Sequence, residues 1–379
     1  MKNSFVAKIA AWIYNGLEKF SQAKYWVLMA TIIISIFSFA YVLPKVTRGK
    51  KLEGPGMDTI SAERRVMKMQ IAHPLTVLPD YGGNQLTSHP GKMQFRLAMP
   101  VIGHFLHLNY AQLLYLQGVL GVFFFALLIL LILRATNDKV AALLGTLGFA
   151  FVYFSSGFFA DNIPYYDGLA YFCLACAMYF RNPLLVFAFV FLCSWTDERG
   201  LLTSSLVLVW WQVVNRGEKL SLGGLLRLSK QSIAVLLAWA LYIGGRYFLT
   251  THYGLKTQSD GMFSSEVLRA HKFHVILGLF AGLRWFWVVI VLGFAWLMKD
   301  KNYFLALVLL AIAAVLTFSS AIVYDHLRSV AYMFPLVIIL LYARGRNPEN
   351  IMSLRNLLLI VLILNFLMTP IKMILGGTS

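Results

Sequence analysis

The sequence predicts an all-α, polytopic membrane chain of about eleven spans with a long first outer loop, and three observations carry that prediction. Of its 379 residues, 59% are hydrophobic and only 13% charged, against about 25% charged in a soluble domain. The apolar residues gather in runs approaching the roughly twenty residues that a helix needs to cross a bilayer. Lysine and arginine fall in the short gaps between those runs. A net charge of +17 would suit a nucleic-acid partner, but such a partner needs one continuous basic face. Here the charge reads as topology, and no nucleic acid is expected.

Residues 1–24 come first. Phe5, Ile9, Trp12, Ile13, Leu17 and Phe20 recur at helical spacing with Lys2, Lys8 and Lys19 elsewhere, the pattern of a helix lying on the membrane surface. Residues 25–44 form an uncharged run between Lys24 and Lys45. It starts too far into the chain for a cleaved leader and reads as an uncleaved anchor. Residues 45–110 are an outer loop with Gly-Pro-Gly at 54–56, His73-Pro74, Gly82-Gly83 and His89-Pro90. Such punctuation predicts irregular chain with a short helix around Ile60 to Gln70. The remaining 111–379 read as a transmembrane bundle, with spans near 111–133, 140–157, 163–180, 183–196, 200–215, 231–249, 275–298, 302–323, 329–343 and 354–373. Cys173, Cys176 and Cys193 lie inside apolar runs and read as core packing rather than metal ligands.

Orientation follows from the short loops. With the N-terminus inside, the cytoplasmic loops hold Arg134 and Lys139, Arg181, the group Arg216 to Lys230, Lys299 and Lys301, then Arg344, Arg346 and Arg355. All eight histidines and eleven of the sixteen acids then fall on the outer side. Three outer turns are short and polar: Asp161-Asn162, Asp197-Glu198-Arg199 and Asp325-His326-Leu327-Arg328. Ionisable groups at such depth are costly and tend to be functional or paired, Asp197 with Arg199 and Asp325 with Arg328 being the paired form.

Arg284 lies about ten residues into a span, near mid-bilayer at about 1.5 Å per residue. It is expected to meet an acid from another helix or a lipid phosphate, which suits a guanidinium fork. His104 and His107 are three apart, as are His271 and His274, a spacing that puts both rings on one helix face. With carboxylates nearby, His104 and His107 are the candidate ligands for a divalent metal such as Mg or Mn. Phe151, Tyr153, Phe154, Phe158, Phe159, Tyr165 and Tyr166 read as an interfacial aromatic belt, or as a platform for a sugar. No P-loop, dinucleotide fingerprint or nucleophile elbow occurs.

Taken together, the inside N-terminus, single span, long acid-bearing outer loop and roughly ten further spans resemble the GT-C glycosyltransferases. The stretches Asp80-Tyr81-Gly82-Gly83-Asn84-Gln85 and Phe95-Arg96-Leu97-Ala98-Met99-Pro100 are similar to segments of uncharacterised bacterial members, as are Asp197-Glu198-Arg199-Gly200 and Asp325-His326-Leu327-Arg328. The resemblance implies an enzyme of cell-envelope polysaccharide synthesis in the bacterial inner membrane, with its active face outside. It would move a sugar from a polyprenyl-phosphate carrier to a glycan or lipid acceptor. That chemistry calls for a carboxylate base, with Asp80 and its rival Asp58 as candidates. It also calls for cations to hold the departing phosphate, Arg96, Arg284 and Arg328. Asp197, Glu198, Arg199, Asp325 and His326 would complete the substrate site. Better-known members carry an acid soon after the first span, whereas here the nearest are Glu53 and Asp58. A transporter or flippase for a lipid-linked saccharide, a polysaccharide polymerase, and a non-catalytic assembly subunit are the alternatives. A transporter would favour broken helices.

Overall fold

The computed structural model describes residues 5–48, 56–78, 93–160, 165–216, 223, 227–255, 272–323, 325–345 and 348–368, and no strand occurs among them. Three helices precede the bundle proper: α1 (Phe5–Ser21), α2 (Trp26–Arg48) and α3 (Gly56–Ala72), the last longer than the short helix expected there. A two-turn helix follows as α4 (Ala98–Phe105). Asn109 and Gln112 then cap each other's backbone, which sets the start of α5 (Tyr110–Thr136). Asn137, in the left-handed conformation, ends α5, and Asp138 caps α6 (Lys139–Ala150) through the Ala141 amide.

Beyond a break at Phe151 and Val152 lies α7 (Tyr153–Ala160), which includes a π-helical turn, and then α8 (Asp167–Tyr179). Asn182 and Pro183 start α9 (Pro183–Thr196), the favoured pairing of a side-chain cap with proline in the first turn. The chain continues through α10 (Glu198–Arg216), α11 (Lys230–Tyr253), α12 (Lys272–Leu283), α13 (Phe286–Lys299) and α14 (Tyr303–Ala321). It closes with α15 (His326–Ala331), α16 (Phe334–Gly345) and α17 (Ile351–Leu367).

Each of the eleven expected stretches therefore holds a helix, but not all are alike. Five are long and apolar enough to cross a bilayer: Trp26–Leu43, Tyr110–Thr136, Lys230–Tyr253, Tyr303–Ala321 and His326–Gly345. The count rises to seven if each of two bent pairs is one span. Asp167–Tyr179, Pro183–Thr196 and Ile351–Leu367 are shorter. An all-helical chain with this many apolar helices is an integral membrane protein by the logic that hydrocarbon leaves no backbone group unpaired. The span 326–345 is 89% buried while 230–253 is 22% buried, which places the former at the centre and the latter at the rim.

The two bent pairs meet each other. α6 and α7 bend by 60°, α12 and α13 by 80°. Phe149 at the first break stacks on Phe286 at the second with ring centroids 4.0 Å apart. Asn365 of α17 joins them, donating to the Gly148 carbonyl and accepting from the Trp285 amide. The first bend also turns the aromatic group inward. Phe151, Phe154, Phe158, Tyr165 and Tyr166 are buried, so the expected interfacial belt is instead core. The cysteines are buried and free, as packing residues should be.

The loops assigned to one side do gather at one end. Arg355, in the first turn of α17, reaches Asp138 and Glu18, each at 2.5 Å. Lys139 donates to the Ser21 carbonyl, and Arg134 to that of Tyr179. The start of α6 and the ends of α1, α5 and α8 thus share a face with the start of α17.

Candidate functional site: a buried arginine–aspartate cluster

At the opposite end, three guanidiniums and three carboxylates converge from segments far apart in the chain. Asp197 stands between α9 and α10, Arg199 in the first turn of α10, and Asp167 heads α8. Asp325 and Arg328 belong to the α15 turn, and Arg96 lies just before α4. Asp197 takes Arg199 at 2.6 Å and Arg96 at 3.0 Å. Asp167 takes Arg328 at 3.1 Å and Arg199 at 3.7 Å, and accepts from the Tyr332 hydroxyl at 2.8 Å. Arg328 also reaches Asp325 at 2.9 Å, and Arg199 donates to the Ser329 hydroxyl.

Rings complete the walls. Tyr165 lies between Arg328, 4.0 Å from its centroid, and Arg96 at 5.5 Å, while Arg199 sits 5.5 Å from the Tyr332 ring. Asp197 and Asp167 are almost wholly buried, and the charge on Asp197 persists because it is paired. Burial alone would push the Asp197 carboxyl up. The Arg199 and Arg96 guanidiniums outweigh it and hold that carboxyl well below the usual carboxylate range.

Arg96 has the most unmet donors of the three guanidiniums, two nitrogens against one on Arg328. One of its terminal nitrogens meets Asp197, but Nε and Nη1 are buried without a hydrogen-bond partner among the described residues. Leaving buried donors unmade costs about 1–3 kcal/mol each, so their persistence calls for a reason. Just upstream, the Gln94 side chain accepts from the Leu78 amide at 2.7 Å and donates to the Thr76 carbonyl. The two ends of segment 79–92 are therefore fastened together beside Arg96.

Of the residues expected from sequence, Arg96, Asp197, Arg199, Asp325 and Arg328 come together here. Glu198 stands alongside, pairing with Arg246 at 3.4 Å, and Arg246 in turn covers the Phe95 ring at 4.2 Å. His326 is buried, its Nδ1 2.8 Å from the Ser320 carbonyl, and packs against Gly278 of α12. Its ring ties α14 to α15 at the edge of the cluster. Asp80 lies outside the described residues, and Asp58 falls on α3 with its side chain likewise outside them. Asp167 and Tyr332 were not singled out from the sequence, and Tyr165 was read there only as part of the aromatic group. The one available signal was an acid in the first turn of a short apolar run, which ordinary helix-dipole preference also explains.

Two expectations are corrected. His104 and His107 do not share a helix face, because α4 ends at Phe105 and the chain reverses through His107 at φ 53°. His104 is tied instead to the Ile71 carbonyl at 2.9 Å. Among the described residues no group of three or more His, Cys, Asp or Glu gathers in the manner of a metal site. His271 and the His274 side chain fall outside those residues. Arg284 is not embedded in one straight span but stands at the 80° break, with φ 50°. Its Nη1 donates to the Tyr41 hydroxyl and to the Asn365 and Met368 carbonyls at 2.5, 3.0 and 3.1 Å. These neutral partners tie the ends of α2 and α17 to the break. Arg284→Leu is expected to lower stability by about 1–3 kcal/mol through the orphaned carbonyls, seen as an earlier thermal unfolding midpoint in detergent. An unchanged midpoint would show that the break holds without it.

One cavity lies next to the cluster. It measures about 410 Å³ and is bounded by Leu201, Leu202 and Ser205 of α10, Trp239 and Ile243 of α11, and the Ala311–Leu316 turn of α14. Ser205 carries the one hydroxyl among these residues, and the Trp239 indole N–H is turned to the Ser204 hydroxyl. Of its lining residues, Leu201 and Ile243 are within a turn of Arg199 and Arg246 along their helices. No family model, curated protein or solved structure significantly matches this chain.

Proposed function

We propose that the chain is a membrane glycosyltransferase that takes a sugar from a polyprenyl-phosphate carrier, and that Arg96 holds the carrier phosphate. The observation that carries this reading is the two buried Arg96 nitrogens, Nε and Nη1, that have no hydrogen-bond partner among the described residues. A phosphate oxygen is the acceptor that a guanidinium fork suits best. The apolar cavity supports the reading, since a hydrocarbon chain lying between α10 and α11 would bring its headgroup up beside Arg199 and Arg246.

In the proposed reaction the acceptor hydroxyl oxygen forms a bond to the anomeric carbon as the bond from that carbon to the phosphate oxygen breaks. The hydroxyl proton passes to a carboxylate, and polyprenyl phosphate leaves carrying the electron pair. Asp197 and Asp167 are poor candidates for the base, because each carboxylate already faces two guanidiniums. We assign the base to Asp80, with Asp58 as rival. Asp80 is two residues from Leu78, and an extended chain spans at most about 3.6 Å per residue. Leu78 is itself fastened to Gln94, two positions before Arg96.

Eleven spans, an inside N-terminus and an outward-facing site in a bacterial inner membrane belong to the same proposal. Single cysteines at Ser221 and Thr87, probed with a membrane-impermeant thiol reagent in intact cells, should label at 87 and not at 221. The reverse pattern would invert the orientation and remove the outer-leaflet carrier from reach. Polyprenyl phosphate itself tests the headgroup assignment. At a hundred times its dissociation constant a ligand stabilises by about 2.7 kcal/mol, so wild-type protein should unfold several degrees later. Arg96→Leu should abolish that shift. An equal shift in wild type and variant would remove Arg96 from the phosphate, and no shift in either would sink the carrier reading.

The two broken helix pairs favour a second reading, a flippase for the same class of lipid, because discontinuous helices are common in transporters. Reconstituted vesicles separate the two. A flippase moves the intact lipid-linked sugar between leaflets without an acceptor, whereas a transferase consumes it only when acceptor is present.

A further inference from the structure

Helix α1 carries apolar residues on two faces, and the bundle uses only one. Ala10, Ile13, Leu17 and Phe20 pack against the core, and Tyr14 is buried with its hydroxyl donating to Asn356 of α17 at 2.6 Å. Phe5, Ile9 and Trp12 face outward, with Phe5 76% and Trp12 77% exposed. Their spacing, i, i+4, i+7, draws a stripe along the helix that Gly16 continues. A Cβ at Gly16 would find nothing within 4 Å, so the stripe is uncovered along its length.

Charge flanks that stripe on one side. Lys8 and Lys19 are exposed, and by helical spacing both lie beside Phe5 and Trp12. Glu18, the single acid on α1, faces away and is tied to Arg355 at 2.5 Å. Lys24 and the exposed Tyr25 follow directly, the lysine 5.3 Å from the ring centroid. A cation, an aromatic and an apolar stripe in this order match the layers of a bilayer surface, where phosphates overlie acyl chains.

Position decides the occupant. The first span begins at Trp26, and the intervening turn is closed by the Gln22 amide on the Lys19 carbonyl and the Ala23 amide on that of Phe20. α1 is therefore held at the level where that span leaves the hydrocarbon, and its Glu18–Arg355–Asp138 link fixes it to the bundle. We infer that α1 is a fixed surface anchor for anionic lipid, with Phe5, Ile9 and Trp12 sunk into the acyl boundary and Lys8 and Lys19 on the phosphates. The inference is independent of the proposed reaction.

Spin labels at Ile9→Cys and Asn15→Cys test it on the full-length chain in nanodiscs, with the buried native cysteines left in place. Collisions with oxygen should dominate at position 9, and collisions with an aqueous nickel chelate at position 15. Adding anionic lipid to a zwitterionic bilayer should raise the oxygen-to-nickel ratio at position 9 severalfold, since each surface lysine favours an anionic leaflet by about fivefold. Lys8→Gln with Lys19→Gln should erase that lipid dependence while leaving the apolar insertion. An aqueous label at position 9 in every bilayer would overturn the anchor. Burial that is indifferent to anionic lipid would overturn the headgroup assignment. Protection that grows with the number of chains per disc would mean that a second copy of the chain covers the stripe instead.

Discussion

Asp197→Ala is expected to destabilise the protein by about 3–5 kcal/mol, the usual cost of removing one partner from a buried ion pair. The loss is large because Asp197 serves two cations. Arg96 would be left with no carboxylate within salt-bridge distance among the described residues, and Arg199 would fall back on Asp167 at 3.7 Å. Asp325→Ala should cost far less, about 1 kcal/mol at most, because Asp325 is a third exposed and water can replace it. Thermal unfolding of purified variants in one detergent measures both. The pH dependence has a definite sign. A carboxyl held below its ordinary range contributes stability that is present above the unfolded value, near about 3.9, and is lost as pH falls toward the folded value. Asp197 should therefore add nothing to the slope of stability between about pH 5 and 8 and should contribute to acid unfolding below it. Should Asp197→Ala unfold within about 0.5 kcal/mol of wild type, the cluster would not be holding α9, α10 and α4 together.

Much of this arrangement could be read from the sequence, because it rests on local signals. Apolar runs bounded by Lys and Arg marked the helices, and the tight polar turns at 197–199 and 325–328 marked helix ends that must place charge near the hydrocarbon. Their internal pairs, Asp197 with Arg199 and Asp325 with Arg328, were legible for the same reason. What escaped is non-local. Asp167 and Tyr332 are 165 positions apart, and no periodicity announces that their side chains meet. The breaks escaped too, because neither is written with proline. Val152 simply adopts an extended backbone, and Arg284 a left-handed one rarely taken by a residue with a side chain. Those two breaks explain the aromatic group that is core rather than belt, and the buried arginine whose described partners are the Tyr41 hydroxyl and two carbonyls.

The second large effect is expected at Asp80. Asp80→Asn preserves shape and removes only basicity, so glycan transfer should fall by about a hundredfold or more, with expression and unfolding temperature unchanged. The contrast with Asp197 is what makes the pair informative. Asp197 is buried and its replacement should register in stability, whereas a base borne on a segment fastened at Leu78 and Gln94 should register in rate alone. Polyprenyl phosphate should still protect Asp80→Asn against unfolding, since Arg96 remains to receive the headgroup, while Arg96→Leu should lose both protection and activity. Asp58→Asn should be milder. If the Asp58 and Asp80 phenotypes were exchanged, the base would be Asp58, closer to the acid that the better-known enzymes carry soon after the first span. If both variants transferred sugar at the wild-type rate while Arg96→Leu still lost the lipid, the cluster would be a phosphate site without transferase chemistry. The flippase reading would then account for the broken helices as well as for Arg96.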